Sequence, residues 1–387
     1  MQVLGKFAAV TTVALGSAAL GSAATAAPPT AQGVPSVASA ACTPSQVLAR
    51  MSLEQQVGQM FMVGTPATGA NATALGLITS RHIGNIMLTG RSTGGTAVPA
   101  RTVAAFKAKV NSASTSSVPL LVATDQEGGY VQVLQGSGID RMPTALTQGT
   151  WPSATLRSSA ARWGGQLRAA GVNMNLAPVA DTVPQGRYNP PIGYYDREYG
   201  YNTDRVGRAV VDILNGQEFQ GHVAVTGKHF PGLGLVSANT DTTATVVDNS
   251  ISKTSGYVTP FKQLINAGVP TIMMSSAFYN KIDSSRQAVF SGPVMSWLRS
   301  LGFQGVIMTD DFGNAKSATR WSYAARGTVS INNGVDLILS VNPAAVAPMY
   351  DAALAKARTD GGFRAKVTAA AQRVLAMKQR FGLMPTC

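Results

Sequence analysis

The chain has 387 residues, 45% of them apolar, enough for a sizeable core in one or two domains. Its net charge of +13 comes from 31 basic and 18 acidic residues, scattered along the chain. No Arg/Lys run is interleaved with aromatic residues, which argues against a nucleic-acid partner, and two cysteines and three histidines (His82, His222, His229) are too few for a structural zinc site.

In chain order, Lys6 precedes an apolar run, FAAVTTVALGSAALGSAA, and then Ala24-Thr25-Ala26-Ala27 before a Pro pair. This predicts a secretory signal peptide over 1–27. The run is too rich in Ala, Ser, Gly and Thr to read as a transmembrane anchor. Residues 28–41 (PPTAQGVPSVASAA) read as a disordered leader, and 42–387 as the folded part. Cys42 and Cys387 stand at its two ends, and in an oxidising compartment they predict a disulfide tying the termini together, an arrangement that suits a monomer. For an exported protein the diffuse positive charge fits residence beside anionic cell-wall polymers, although solubility alone is an equal explanation.

From residue 50 onward, short apolar runs alternate with segments of helical spacing. The predicted strands are QMFMVG (59–64), IGNIML (83–88), PLLVAT (119–124), VNMNLAP (172–178), VAVTGKH (223–229), PTIMMSS (270–276), GVIMTD (305–310) and VDLILS (335–340). Each is nearly continuous in apolar character, as parallel strands covered on both faces require. Between them, Ser52 to Gln55 resembles a capping box, RTVAAFKAKV (101–110) is amphipathic, and Thr203 to Gln220 predicts a longer helix. PVMSWLRSLG (293–302) opens on Pro and closes on Gly, the favoured order. Eight strand–helix units over about 330 residues predict a single-domain (β/α)8 TIM barrel. An open doubly-wound sheet is the competitor, but its Gly-rich dinucleotide fingerprint is missing. Asp125, Asp181, Lys228-His229, Ser275-Ser276 and Asp310-Asp311 all fall at or just beyond the C-terminal ends of these strands, the catalytic face of such a barrel.

A carboxylate fixed at a strand end, as at Asp310, suits a nucleophile that attacks an anomeric carbon, although helix caps also occupy such positions. Asp125 to Gly129 (DQEGG) places acidic residues beside two glycines, where they can grip sugar hydroxyls or simply form a turn. In order along the chain, ATDQEGGYVQ, NLAPVADT, DREYG, GKHFPG, MMSSAFYNKID and GFQGVIMTDDF resemble the barrel domain of family three glycoside hydrolases. The likeness is to the single-domain form typified by bacterial β-N-acetylglucosaminidases, and it covers residues 50 to 380. It implies a retaining β-glycosidase with Asp310 as nucleophile and Asp125, Arg197, Lys228 and His229 as substrate-binding residues. No metal or organic cofactor is implied. Read from the residues alone, Lys228 is equally a structural ion-pair partner and His229 a core histidine.

Two departures from the family pattern stand out. In the relatives the loop after the fifth strand carries an Asp-x-His pair whose histidine handles the proton; here the corresponding stretch reads Asp241-Thr242-Thr243. Threonine cannot replace imidazole in acid–base work, so the role passes to Asp241 or, less favoured, Asp248. The family also commonly reads DQEGGRVQR, whereas Tyr130 and Val133 occupy the arginine positions here; Tyr130 either stacks on a sugar or packs. Three functions follow: a secreted β-N-acetylhexosaminidase acting on cell-wall-derived or other β-linked glycosides; a carbohydrate-binding protein that has lost turnover; and a phosphorylase or transglycosylase using the same nucleophile. Ser250 to Lys253 spells S-x-x-K, but the S-D-N and K-T-G companions of acyl-transfer enzymes are missing.

Overall fold

A computed structural model describes residues 41–387. The expected signal peptide and all of the leader but Ala41 lie outside the described residues. Ala41 already belongs to the fold, bridging to Thr386 in antiparallel fashion.

Eight parallel strands close into one barrel: β1 (Phe61–Pro66), β2 (Asn85–Thr89), β3 (Leu121–Thr124), β4 (Met174–Asn175), β5 (Ala224–Phe230), β6 (Thr271–Met274), β7 (Val306–Asp311) and β8 (Leu337–Ser340). Each strand pairs with its neighbours in sequence, and β8 closes on β1 with Phe61 opposite Ile338. The expected barrel is therefore the observed one, and each of the eight apolar runs overlaps one of its strands, four of which run one or two residues past the predicted end. β4 is the shortest, and beyond it the Leu176 N–H still donates to the Thr124 carbonyl while the Ala177 carbonyl accepts from Thr226. The helix expected over Thr203–Gln220 divides into an α-helix, Thr203–Leu214, and a π-helical turn, Asn215–Gln220. That turn lies against the helix Ser153–Ala169, where a Cβ on Gly216 would stand 2.3 Å from the Arg157 carbonyl oxygen.

Side chains alternate across each strand, so every second residue points into the barrel. The interior is apolar and rich in methionine: Met62, Met87, Met174, Met273 and Met308, with Leu121, Leu176 and Leu339. A second, larger apolar layer lies between the strands and the surrounding helices and includes Phe106, Trp163, Phe230 and Phe261. This double burial is the reason that the strands read as unbroken apolar runs. Ser52 caps the helix Leu53–Gln59 through the expected box with Gln55.

The two ends of the described part meet beside Val118, three residues before β3. Cys42 and Cys387 form a disulfide there, and Cys42, Val47, Met51, Val118 and Leu375 make a small satellite core. The last helix, Gly361–Arg380, carries a fully buried lysine. Lys378 Nζ donates to Gln59 Oε1 at 2.7 Å and to the Gly84 carbonyl at 2.9 Å, and burial pushes its pKa down to about 7.

Candidate active site

The inward phase of three strands fixes the polar end of the barrel. β3 points Leu121 and Ala123 inward, so Asp125 follows on the same face; in β7, Val306 and Met308 lead to Asp310. On β5 the same period carries Ala224 through to Lys228. All three side chains rise above an apolar floor of Met87, Leu176, Met273 and Leu339 and line a cavity of about 410 Å³. Arg197, His229 and Asp241 line it too. The six catalytic and binding positions expected from the sequence are thus brought to one cavity at the C-terminal mouth. Asp248 is not among its lining residues. It is buried, and one carboxylate oxygen accepts from the Ser250 and Ile251 N–H groups, which caps a turn.

Asp310 and Asp311 have separate duties. Asp311 holds backbone: Oδ1 accepts from Gly313 and Val341 N–H, both at 2.8 Å, and Oδ2 accepts from Asn314 at 3.0 Å. Asp310 accepts a single protein hydrogen bond among the described residues, from the Asp311 N–H at 2.8 Å, and otherwise faces the cavity. Burial, opposed by His229 and reinforced by the Asp241 charge, lifts its carboxyl above the ordinary aspartate range.

Beneath the cavity lies a buried ion network centred on Glu127. Arg197 grips this carboxylate with two nitrogens, at 2.8 and 2.9 Å, and Lys228 Nζ sits 2.7 Å from Glu127 Oε1 and 2.8 Å from Asp125 Oδ1. Burial alone would raise the Glu127 pKa; Arg197 and Lys228 more than offset it and hold the group down to about 2. Glu127 is therefore an internal counter-ion and does not reach sugar hydroxyls. The paired glycines make its placement possible. Gly128 and Gly129 take φ of +103° and +55°, and a Cβ on Gly128 would stand 2.3 Å from the Pro143 carbonyl oxygen.

Asp181 has a comparable part, which its strand-end position alone did not disclose. It is fully buried, its Oδ2 lies 2.7 Å from His229 Nδ1, and its Oδ1 accepts from the Leu233 N–H at 2.7 Å. One carboxylate thus orients the cavity histidine and anchors the start of the loop after β5. Sequence reasoning missed both organisers. The available signal was arithmetic: buried cations and a buried histidine need buried acids.

The loop itself is held at several points. Asn189 donates to the Leu233 and Val236 carbonyls; the N–H groups of Lys316 and Ser317 donate to the Asp241 and Thr240 carbonyls, each at 3.0 Å. The Asp241 backbone is thereby fixed while its carboxylate stays exposed at the cavity wall. Thr243 does not line the cavity. Among the described residues, no group of three or more His, Cys, Asp or Glu side chains is arranged to hold a metal ion. A larger cavity, about 780 Å³, opens at the opposite end of the barrel, but its one acidic lining residue, Glu218, is paired with Arg380.

Residues 52–377 match the family model described as the glycosyl hydrolase family 3 N terminal domain. Among solved structures, a β-N-acetylhexosaminidase from Beutenbergia cavernae is 46% identical with a TM-score of 0.84, covering 85% of this chain and 99% of its own. A family 3 β-N-acetylglucosaminidase from a Paenibacillus species is 29% identical with a TM-score of 0.78, over 86% of this chain and 63% of that one. A β-hexosaminidase from Methylobacillus flagellatus is 30% identical over 233 residues; the match takes in 58% of this chain and only 65% of that protein. The barrel, the strand-end carboxylates and a family match spanning most of the chain agree: this protein belongs to glycosyl hydrolase family 3.

Proposed function

We propose that the protein is a secreted retaining β-glycosidase acting as a β-N-acetylhexosaminidase. The observation that carries the reading is Asp310: a carboxylate delivered by strand phase to the cavity, with a single protein hydrogen bond, above an apolar floor. Support for the sugar comes from the relatives, which are named for hexosamine-releasing activity. Among possible partners, a β-linked carbohydrate is the one this cavity suits.

In the first step an Asp310 oxygen attacks the anomeric carbon and forms a glycosyl ester. The glycosidic C–O bond breaks, and the leaving oxygen takes a proton from the Asp241 carboxyl. In the second, the Asp241 carboxylate takes a proton from water, the water oxygen bonds to the anomeric carbon, and Asp310 is released. Asp125 accepts from sugar hydroxyls, while Lys228 and His229, already oriented by acids, donate to them. A phosphorolytic variant is less well supported, since Arg197 and Lys228, the strong cations lining the cavity, are already engaged by Glu127 and Asp125. Export, by a signal peptide over 1–27, is supported by the disulfide and by a fungal relative described as a secreted glycosyl hydrolase. Among the described residues no helix is long and apolar enough to cross a membrane. A monomer suits a barrel whose ends are tied to each other.

The test compares wild type with Asp310→Asn and Asp241→Asn on an aryl β-N-acetylglucosaminide and on the β-linked disaccharide. Asp310→Asn is expected to abolish both activities. Asp241→Asn is expected to spare kcat/KM for the aryl substrate, which reports the first step and whose leaving group needs little protonation, and to lower kcat/KM for the disaccharide by roughly 10²–10⁴-fold. Equal losses on both substrates would remove Asp241 from the acid/base role. Sugar binding without any turnover in the wild type would make the protein a lectin.

A further inference from the structure

One side of the cavity mouth is aromatic, and nothing in the reaction described above uses it. Tyr130 and Tyr195 line the cavity, yet Tyr130 is 60% exposed and Tyr195 38%. Tyr194, 74% exposed, continues the row outward. The rings contact one another edge to face, with centroids 6.1 Å apart for Tyr130 and Tyr195 and 4.9 Å for Tyr194 and Tyr195. Large aromatic rings left so exposed and touching chiefly each other are not core residues.

The row is also built to stay in place. Tyr130 sits at the tip of the Gln126–Gln132 hairpin, and Arg91 donates from the loop after β2 to the Tyr130 and Gln132 carbonyls, both at 2.5 Å. Tyr194 and Tyr195 occupy a short 3₁₀ turn, Gly193–Tyr195. That turn is clamped by Asn189, whose Oδ1 accepts from the Ile192 and Gly193 N–H groups. The same Asn189 holds the Asp241 loop through Leu233 and Val236. Platform and proton-transfer loop therefore share one anchor.

We infer that Tyr130, Tyr195 and Tyr194 form a binding site for the leaving-group side of the substrate, so that the enzyme's substrates are β-linked oligosaccharides rather than simple glycosides. The proposal rests on the glycosidase reading. Asp310, Lys228 and Asp125 hold the reacting sugar at the cavity floor, and the chain beyond the cleaved bond leaves through the mouth, where the tyrosines stand. Sugar rings present flat C–H faces to aromatic rings, so stacking carries the contact. Tyr130 and Tyr195 meet the first sugar beyond the bond, and Tyr194 meets a later one.

The experiment uses Asp310→Asn protein, which binds without turnover, titrated calorimetrically with N-acetylglucosamine and with its β-1,4-linked dimer and tetramer. The tetramer is expected to bind more tightly than the monosaccharide by about tenfold. Tyr130→Ala and Tyr195→Ala in that background are each expected to lower the tetramer-to-monosaccharide ratio roughly twofold to tenfold. Tyr194→Ala lowers the tetramer-to-dimer ratio alone. Tyr→Phe at each position restores the ratios, and since the rings are exposed, unchanged circular dichroism verifies folding. Equal affinities for monosaccharide and tetramer, ratios indifferent to the three tyrosines, or no binding of any of the three sugars would overturn the proposal. If the wild type hydrolyses no glycoside while the tyrosine-dependent ratio persists, the glycosidase reading fails and the platform stands.

Discussion

At the scale of single residues, the site depends on which acids are free and which are committed. Asp311 and one oxygen of Asp248 hold backbone N–H groups, Asp181 holds the Leu233 N–H and His229, and Glu127 is engaged by Arg197 and Lys228. Asp125 gives one oxygen to Lys228, while Asp310 and Asp241 line the cavity with no side-chain partner among the described residues. Glu127→Gln would leave buried Arg197 without its anion and Lys228 with Asp125 alone, and we expect a loss of about 3–5 kcal/mol in urea unfolding together with weakened sugar binding. Because the folded protein holds the Glu127 pKa down to about 2, its contribution is complete above the ordinary carboxylate range. It is lost as the pH falls from there toward about 2, so acid unfolding of wild type should be steeper in this window than that of Glu127→Gln. Asp310 behaves in the opposite sense. Its pKa is raised by burial and by the Asp241 charge, so its ionised form disappears at a higher pH than that of an ordinary aspartate. On an aryl glycoside, where protonation of the leaving group matters little, Asp241→Asn should move the acid limb of kcat/KM to lower pH; an unmoved limb would place Asp241 too far away to act. Asp310 and Asp241 were legible in the sequence because one ends an apolar run and the other sits in a motif position. Glu127 and Asp181 were legible only as strand-end acids, since their roles depend on partners 70 and 48 residues away.

At the scale of elements, strand phase explains the placement of Asp125, Lys228 and Asp310, and loop anchoring explains Asp241. The strands were readable because they are buried on both faces, which leaves continuous apolar runs with polar residues only at their ends. The π-helical turn Asn215–Gln220 was not readable, since its extra residue per turn arises where it lies against another helix. Nor was the tyrosine row, which joins a hairpin tip at 130 to a turn at 194–195 and has no local signature. Asn189 links that turn to the loop after β5. We expect Asn189→Ala to lower kcat/KM for the disaccharide more than for the aryl glycoside, because the Asp241 loop loses two of its anchors while the Asp310 strand keeps all of its own. Equal losses on the two substrates would contradict this division.

Across the whole molecule, the two ends of the barrel serve different purposes. Polar groups collect at the C-terminal mouth, where six acids (Asp125, Glu127, Asp181, Asp241, Asp310, Asp311) line or underlie the cavity, out of 18 in the chain. The chain as a whole carries a net charge of +13, so the acids gathered at the mouth stand against a basic remainder. Stability features collect at the opposite end. The Cys42–Cys387 bond closes a loop 345 residues long, and removing it by Cys→Ser at both positions should cost about 2–4 kcal/mol, read as a lower melting temperature with kcat unchanged below it. Lys378 adds a pH signature there. Its folded pKa is depressed to about 7, so the unfolded chain binds the extra proton above that pH. Stability should then rise with pH from about 7 toward the ordinary lysine range, and Lys378→Met should flatten the rise. The central claim concerns the other end, and it is tested most directly by mass spectrometry after the enzyme is quenched with a fluorinated N-acetylglucosaminide that forms the glycosyl ester readily and releases it slowly. A covalent adduct of one sugar, mapped to the peptide that contains Asp310, is the result expected of a retaining glycosidase. Turnover with no adduct, and release of the product with inverted anomeric configuration, would contradict it.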